Sequence, residues 1–267
     1  PPWGWDRPPA RPAIREMVEI CRTMWCGGTP PSEGKILQTS GRELSFSPGH
    51  PIPILIAARG RQMLAVAAEV ADIVHIATPF LGPRYMQSDV DHVIAAADSA
   101  GRPASAYEID MTIALSVSSD ANFARYTGKS IAAVGILWMA NAERRDTTGE
   151  LVSTRAAELP DEFAVPQATV DAISTEWNMW SGERLSPTIA RMIDDQVLAQ
   201  FVVAGGPSEC RDQLLRISEE LPQITGLRFK LPPLTGPEAY PRLREMIEIV
   251  GGFDELRALG ADHSPMT

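Results

Sequence analysis

The residues best suited to chemistry stand together at Arg59-Gly60-Arg61, between the apolar run Ile52 to Ala58 and a helical stripe of Met63, Val66, Ala67 and Val70. A turn of this kind sets two guanidinium groups beside the first amides of a helix. Those amides have no intrahelical partner and carry partial positive charge. Glycine lets the backbone come close to a ligand, and the planar donor fork of arginine matches a phosphate. The chemistry on offer is anion binding. The same three residues also read as a tight turn carrying two solvated arginines. Neither G-x-G-x-x-G nor G-x-x-x-x-G-K-S/T occurs, so no standard nucleotide fingerprint decides between the two readings.

The elements that must hold this turn follow from periodicity. Ile52 to Ala58 has no polar residue at alternate positions, which predicts a strand covered on both faces. The stripe after Arg61 recurs at i, i+3, i+4 and i+7, the pattern of an amphipathic helix. Asp72 closes that helix, and Ile73 to Ala77 predicts a second short buried strand. Pro51 to Pro79 is thus a βαβ unit. Upstream, Pro1 to Pro12 reads as a loop with Trp3 and Trp5, which serve either a ligand pocket or packing on a helix. A helix follows from about Pro12, with Ile14, Met17, Val18, Cys21, Met24 and Trp25 on one stripe and Gly27-Gly28 at its end. Weak alternation from Lys35 to Phe46 predicts a small hairpin outside the main sheet.

Downstream, Arg84 to Ala100 predicts a helix buried through Met86, Val90, Val93, Ile94 and Ala97. Tyr107 to Val117 predicts a long strand, capped into the next helix by Ser118-Ser119-Asp120. Residues 120–200 show helical stretches without a convincing strand, too long for a simple connection. They are expected to form an added helical subdomain or lid, with Trp177 and Trp180 in its core. Gly206-Pro207-Ser208-Glu209 starts a helix with proline at its first position and Cys210, Leu214, Ile217 and Leu221 on its buried stripe. Gly226 to Leu231 predicts a final strand, and Pro237 to Val250 a final helix. Strands alternating with helices make a parallel sheet covered by helices.

Composition narrows the function. At 267 residues and 44% hydrophobic content, the chain is large enough for one α/β barrel or two small domains. The formal net charge of −10 argues against nucleic acid and anionic membrane surfaces as partners. Cys21, Cys26 and Cys210 form no disulfide framework and no C-x-x-C, which points to a reducing, cytoplasmic setting. No zinc-type spacing or G-x-S-x-G elbow is present. His75 lies mid-strand, where a core histidine is expected, while His50 and His92 lie in loop and helix. The cluster Arg242, Arg244, Glu245 and Glu248 reads as a solvated helix face.

The stretch PIPILIAARGRQMLAVAAEVADIVHIAT resembles the signature region of the bacterial luciferase-like monooxygenase superfamily. Within it, the resemblance points to deazaflavin-dependent oxidoreductases related to methylene-tetrahydromethanopterin reductase. REMVEICRTMWCGG is similar to that family's helix after the fourth strand, and FVVAGGPSECRDQLLRI to its Ala-Gly-Thr-Pro-Glu-Glu segment. Two positions depart from the pattern: Arg61 stands where proline is common, and Ile73 where glycine is.

The resemblance implies a (β/α)8 TIM barrel in which the strands near Ile52, Ile73, Ile109 and Leu227 are the fifth to eighth. The first four βα units are then absent from this sequence and expected upstream of Pro1, with residues 1–267 a single domain carrying a helical insertion around 120–200. The chain by itself is expected to be inactive and a poor monomer. The resemblance also implies that Ala57, Ala58, Arg59, Gly60, Arg61, Ala77 and Thr78 contact the cofactor, either a deazaflavin (coenzyme F420) or FMN. A small organic substrate, hydride transfer and a homodimer are the matching expectations. Two competing functions stay open: a catalytically silent relative that binds a flavin-like ligand or assembles with partners, and a sugar-phosphate barrel enzyme using Arg59 and Arg61 on substrate phosphate.

Overall fold

The structure is a computed structural model that describes residues 9–39, 41–46, 48–77, 80–140, 164–176, 185–234, 237 and 239–253. Trp3, Trp5, Thr78, Trp177 and Trp180 lie outside the described residues. The chain divides into two compact units, Pro1–Ile76 with Asp89–Ile109, and Ala77–Ser88 with Asp110–Thr267.

The first unit holds α1 (Ala10–Trp25), β1 (Leu55–Ala58), α2 (Arg61–Val70) and β2 (Ile73–Ile76), with most of α3 (Pro83–Ser99) and a 3-10 turn at Ala104–Ala106. β1 and β2 pair in parallel, with Leu55 opposite Ile73 and Ala58 opposite Ile76. Leu64, Val66, Ala67 and Ala68 bury the inner face of α2. The strand expected over Ile52 to Ala58 is shorter and covered less. Ile52 and Leu55 are each 37% exposed, and β1 has burial on alternate positions only. Pro51 and Pro53 have no N–H to give a ladder, and among the described residues β1 stands at the end of the strand order.

α1 packs on α2, but not through the whole stripe its sequence shows. Val18 and Ile20 are buried, whereas Met17 is 48% exposed. Two ion pairs set the rotation of the helix: Arg15 to Glu69 at 2.6 Å and Arg22 to Asp72 at 2.7 Å. The hairpin expected over Lys35 to Phe46 is a single antiparallel bridge between Glu33 and Gln38. Its position is drawn forward by Glu16 of α1, whose carboxylate accepts from the amides of Ile36 and Leu37 at 2.8 and 3.0 Å.

The second unit takes in nearly all of β3 (Glu108–Val117), then α4 (Ala121–Ala140), α5 (Gln167–Glu176), α6 (Pro187–Met192) and α7 (Asp195–Ala199). β4 (Val203–Gly205), α8 (Pro207–Glu220), β5 (Gly226–Lys230) and α9 (Ala239–Gly251) complete it. β3 pairs in parallel with β4 at its C-terminal end and with β5 nearer its start. The described elements from 121 to 199 are all helical, as the sequence predicts. α4 lies close on the β4 segment because it carries Gly128 and Gly135 there. A Cβ at Gly128 would sit 3.4 Å from Ala204 Cβ, and one at Gly135 would overlap the Phe201 ring. Phe201 and Phe80 anchor the cluster that also buries Ile136, Ile173, Ile189 and Ile193. α8 begins with proline at its first turn and buries Cys210 and Leu214. Burial pushes the Cys210 thiol up to about 12, so it packs as an inert apolar group.

Candidate functional site at the start of α2

Gly60 is the N-cap of α2, at φ +77° and ψ 143°. L-residues rarely adopt that backbone, and an added Cβ would meet no heavy atom within 4 Å. Its glycine is therefore required by the backbone angle, and the space beside it is open. The Gly60 carbonyl accepts from Met63 N and Leu64 N, each at 3.0 Å, and so closes the first turn. No side-chain oxygen caps the helix, and no acidic residue stands in its first turn. Arg59 and Arg61, both exposed, flank the glycine instead. His92 of α3 steadies this end, its Nε2 lying 2.7 Å from the Arg61 carbonyl.

The opposite end of α2 shows what an ordinary arrangement looks like. Arg22 donates to the Val70 carbonyl at 2.9 Å. Arg102 donates to the carbonyls of Ala68 at 2.6 Å, Ala71 at 2.8 Å and Ala106 at 2.8 Å. Its guanidinium lies 5.5 Å from the Tyr107 ring centroid. Cations at a helix C-terminus complement the dipole. Cations at the N-terminus oppose it, by about 0.3–1 kcal/mol each at an exposed site. Arginines from other segments meet the C-terminal end of α2, whereas Arg59 and Arg61 at its start are electrostatically placed for an anion.

The remaining expected site residues are distributed as follows. Ala57 is exposed at the end of β1, while Ala58 is buried and faces the core. Ala77, partly exposed, directly follows β2. His75 is a buried residue of β2, opposite Ala57 in the pairing. His50 is exposed. Among the described residues, no group of three or more His, Cys, Asp or Glu is arranged to hold a metal ion, and no helix is long and apolar enough to cross a membrane.

The profile of the luciferase-like monooxygenase family matches residues 3–222. The chain belongs to that family. Over 221 residues it is 26% identical to the 5,10-methylenetetrahydromethanopterin reductase of Archaeoglobus fulgidus, covering 80% of this chain and 58% of that protein. Among solved structures it is similar to a coenzyme F420-dependent tetrahydromethanopterin reductase from Methanopyrus kandleri, with TM-score 0.65 and 22% identity over 91% of this chain and 62% of that one. An F420-dependent secondary alcohol dehydrogenase, determined with an F420-acetone adduct, is similar at TM-score 0.58 and 13% identity, over 93% of this chain and 64% of that one. The chain thus spans 58%, 62% and 64% of the length of these three relatives. Its α/β architecture of parallel strands and covering helices is that of the luciferase-like barrel family.

One part of the luciferase-like chain corrects the reading of its C-terminal helix as a solvated face. Arg244 and Glu248 do form an exposed pair at 2.8 Å. Glu245, one position along, is engaged with the turn after β3. Its Oε1 accepts from Ser119 Oγ at 2.7 Å, Ser119 N at 2.9 Å and Ser118 Oγ at 3.0 Å. These bonds, those to Ser119 first, hold the carboxyl down to about 2. Arg242 donates to the other carboxylate oxygen at 3.1 Å and lies 4.5 Å from the centroid of the Phe123 ring. The sequence does flag the turn: Asp120 Oδ1 caps α4 by accepting from Asn122 N and Phe123 N, each at 3.1 Å. Nothing local flags its partner.

Proposed function

We propose that this protein is an oxidoreductase of the luciferase-like family that transfers a hydride between a deazaflavin, coenzyme F420, and a small organic substrate. The observation that carries the reading is the start of α2: a glycine at φ +77°, open space at its Cβ position, no side-chain cap, and arginines on both sides. Space and charge there fit the phosphate-bearing tail of such a cofactor. Arg59, Gly60 and Arg61 would hold the tail through side-chain and backbone donors. Ala57 would leave room beside it, and Ala58 would contribute its backbone, since its side chain is buried. Ala77 and Thr78, after β2, belong to the same proposal. The bound deazaflavin supplies the hydride chemistry, and the protein supplies binding, orientation and electrostatics. The choice of deazaflavin is supported by the 26% identity to a methylenetetrahydromethanopterin reductase. A homodimer is part of the proposal.

The second reading is an FMN-dependent monooxygenase, favoured by the description of the family that matches residues 3–222. Both cofactors carry a phosphate on a flexible tail, so the α2 start serves either. Titrating the protein with coenzyme F420 and with FMN, followed by intrinsic fluorescence, separates them. Tight FMN binding with no response to the deazaflavin reverses the order. Arg59→Ala should weaken binding of the preferred cofactor by about 1.5–3 kcal/mol, the magnitude of a charge-assisted hydrogen bond. An unchanged dissociation constant together with an unchanged melting temperature returns Arg59 to the solvated-turn reading.

A further inference from the structure

β5 shows two cations on one face. Arg228 and Lys230 stand two positions apart on the strand, and both are exposed. The parallel register sets Asp110 of β3 opposite Gly226, Thr112 opposite Arg228 and Ala114 opposite Lys230. All of these residues belong to the second unit. Arg228 is held from behind: its Nε donates to Asp110 Oδ2 at 2.6 Å. The carboxylate has room there because residue 226 is glycine, since a Cβ at that position would overlap Asp110 Oδ1. The pair is lopsided, with the Asp110 side chain 8% exposed and that of Arg228 52% exposed. Among the described residues, neither Nη atom of Arg228 has an acceptor. Stability is a poor reason for such a pair, because burying a carboxylate costs free energy that a half-exposed, solvent-screened cation returns only in part. Orientation is what the pair supplies. With Nε engaged, the two Nη groups form the outward edge of a planar fork, which matches an oxyanion through two parallel hydrogen bonds. Two cations against one carboxylate also leave this face positive, in a chain of formal net charge −10. Lys230 closes β5 at its C-terminal end, the end of a barrel strand at which ligands are met. We infer that Arg228 and Lys230 form a binding site for the oxyanion group of a small molecule, a carboxylate or a phosphate, with Arg228 as the fork and Asp110 as the residue that positions it. The site stands on the β3–β5 geometry and is independent of the cofactor proposed above.

The test uses the full chain without cofactor, titrated with inorganic phosphate and with malonate at constant ionic strength. Binding is followed by NMR through the backbone amides of Arg228 and Lys230. Wild type should give a saturable shift in the millimolar range, and the tighter of the two anions names the group. No saturable shift with either anion overturns the inference. Arg228→Lys keeps the charge but loses the fork, and should weaken binding about tenfold; affinity equal to wild type overturns the inference. Asp110→Leu separates orientation from charge. It removes a negative charge, so attraction by charge alone predicts tighter binding, whereas loss of positioning predicts binding weaker by about fivefold or more. Binding as tight as wild type or tighter in Asp110→Leu overturns the positioning role. Asp110→Asn keeps a carbonyl that accepts from Arg228 Nε, and should stay within about twofold of wild type. Should Asp110→Leu fail to fold, Gly226→Ala decides the same point, because its methyl displaces the carboxylate and should weaken binding in the same direction. Arg244→Gln removes an exposed positive charge elsewhere in the second unit, and should leave affinity within about twofold. A loss there as large as in Arg228→Lys means that the anions respond to overall charge, and overturns the inference. Because no cofactor is present, none of these outcomes bears on the function proposed above.

Discussion

Alanine at position 60 sets two effects of opposite sign against each other. At φ +77° and ψ 143°, alanine occupies a region that costs of the order of 1–3 kcal/mol. No atom lies within 4 Å of the added Cβ, so the whole cost comes from the backbone and none from a clash. Against it stands the reduced freedom of the unfolded chain, which favours Gly→Ala by about 0.4–1 kcal/mol. The strain is larger, and a net loss of about 1–2 kcal/mol is expected in urea denaturation at constant m-value. Escape by flipping the turn is no easier. It removes the carbonyl that Met63 N and Leu64 N share, each at 3.0 Å. Gly49 is the control, since it has φ +74° and equally open surroundings. Gly49→Ala should lose stability without changing cofactor affinity, whereas Gly60→Ala should lose both, because its methyl enters the open space proposed for the ligand. A Gly60→Ala protein as stable as wild type refutes the strain argument. A destabilised one with unaltered cofactor binding refutes the placement of the ligand.

Arg102→Ala removes three bonds to carbonyls and a ring contact, and should cost about 2–4 kcal/mol in urea denaturation after allowance for partial exposure. Arg102→Lys should recover only a minor part, since a single ammonium cannot reach all three carbonyls in the plane that a guanidinium spans. Glu245 predicts an acid dependence. Its pKa is depressed to about 2 from 4.5, so its contribution is complete above pH 4.5 and disappears as the pH falls towards 2. Thermal melts of wild type and Glu245→Gln should therefore converge across that window, and parallel curves would sink the assignment. Gly135→Ala drives a methyl into the buried Phe201 ring, a cost of about 1–3 kcal/mol against about 1 kcal/mol of helix propensity gained. Phe201→Leu in the same chain should absorb the methyl, giving a favourable coupling energy in a double-mutant cycle.

The strand–helix–strand unit around Gly60, the starts of α4 and α8, and the core strands near Leu55, Ile73, Glu108 and Gly226 are all legible in the residue pattern. All are written in short-range terms: a period of two or 3.6, a capping side chain two or three residues from its amide, a proline in a first turn. The turn at Arg59-Gly60-Arg61 belongs to the same class, because its glycine and its charges are neighbours in the chain. Folding leaves one face of β1 exposed among the described residues, because an apolar run does not say what packs against each face of the strand. It also decided which charges matter. Arg244–Glu248 and Arg242–Glu245 look alike as i,i+4 and i,i+3 pairs, yet the first is solvated and the second holds a turn 126 residues away in the chain. Likewise, Arg102 shows no pattern in sequence, and its three carbonyl partners include one on α2 and one on that helix's C-cap, both more than thirty residues earlier. A carboxylate or a guanidinium acquires its role from the donors or acceptors that folding brings within 3 Å, and hydrophobic periodicity carries no record of them.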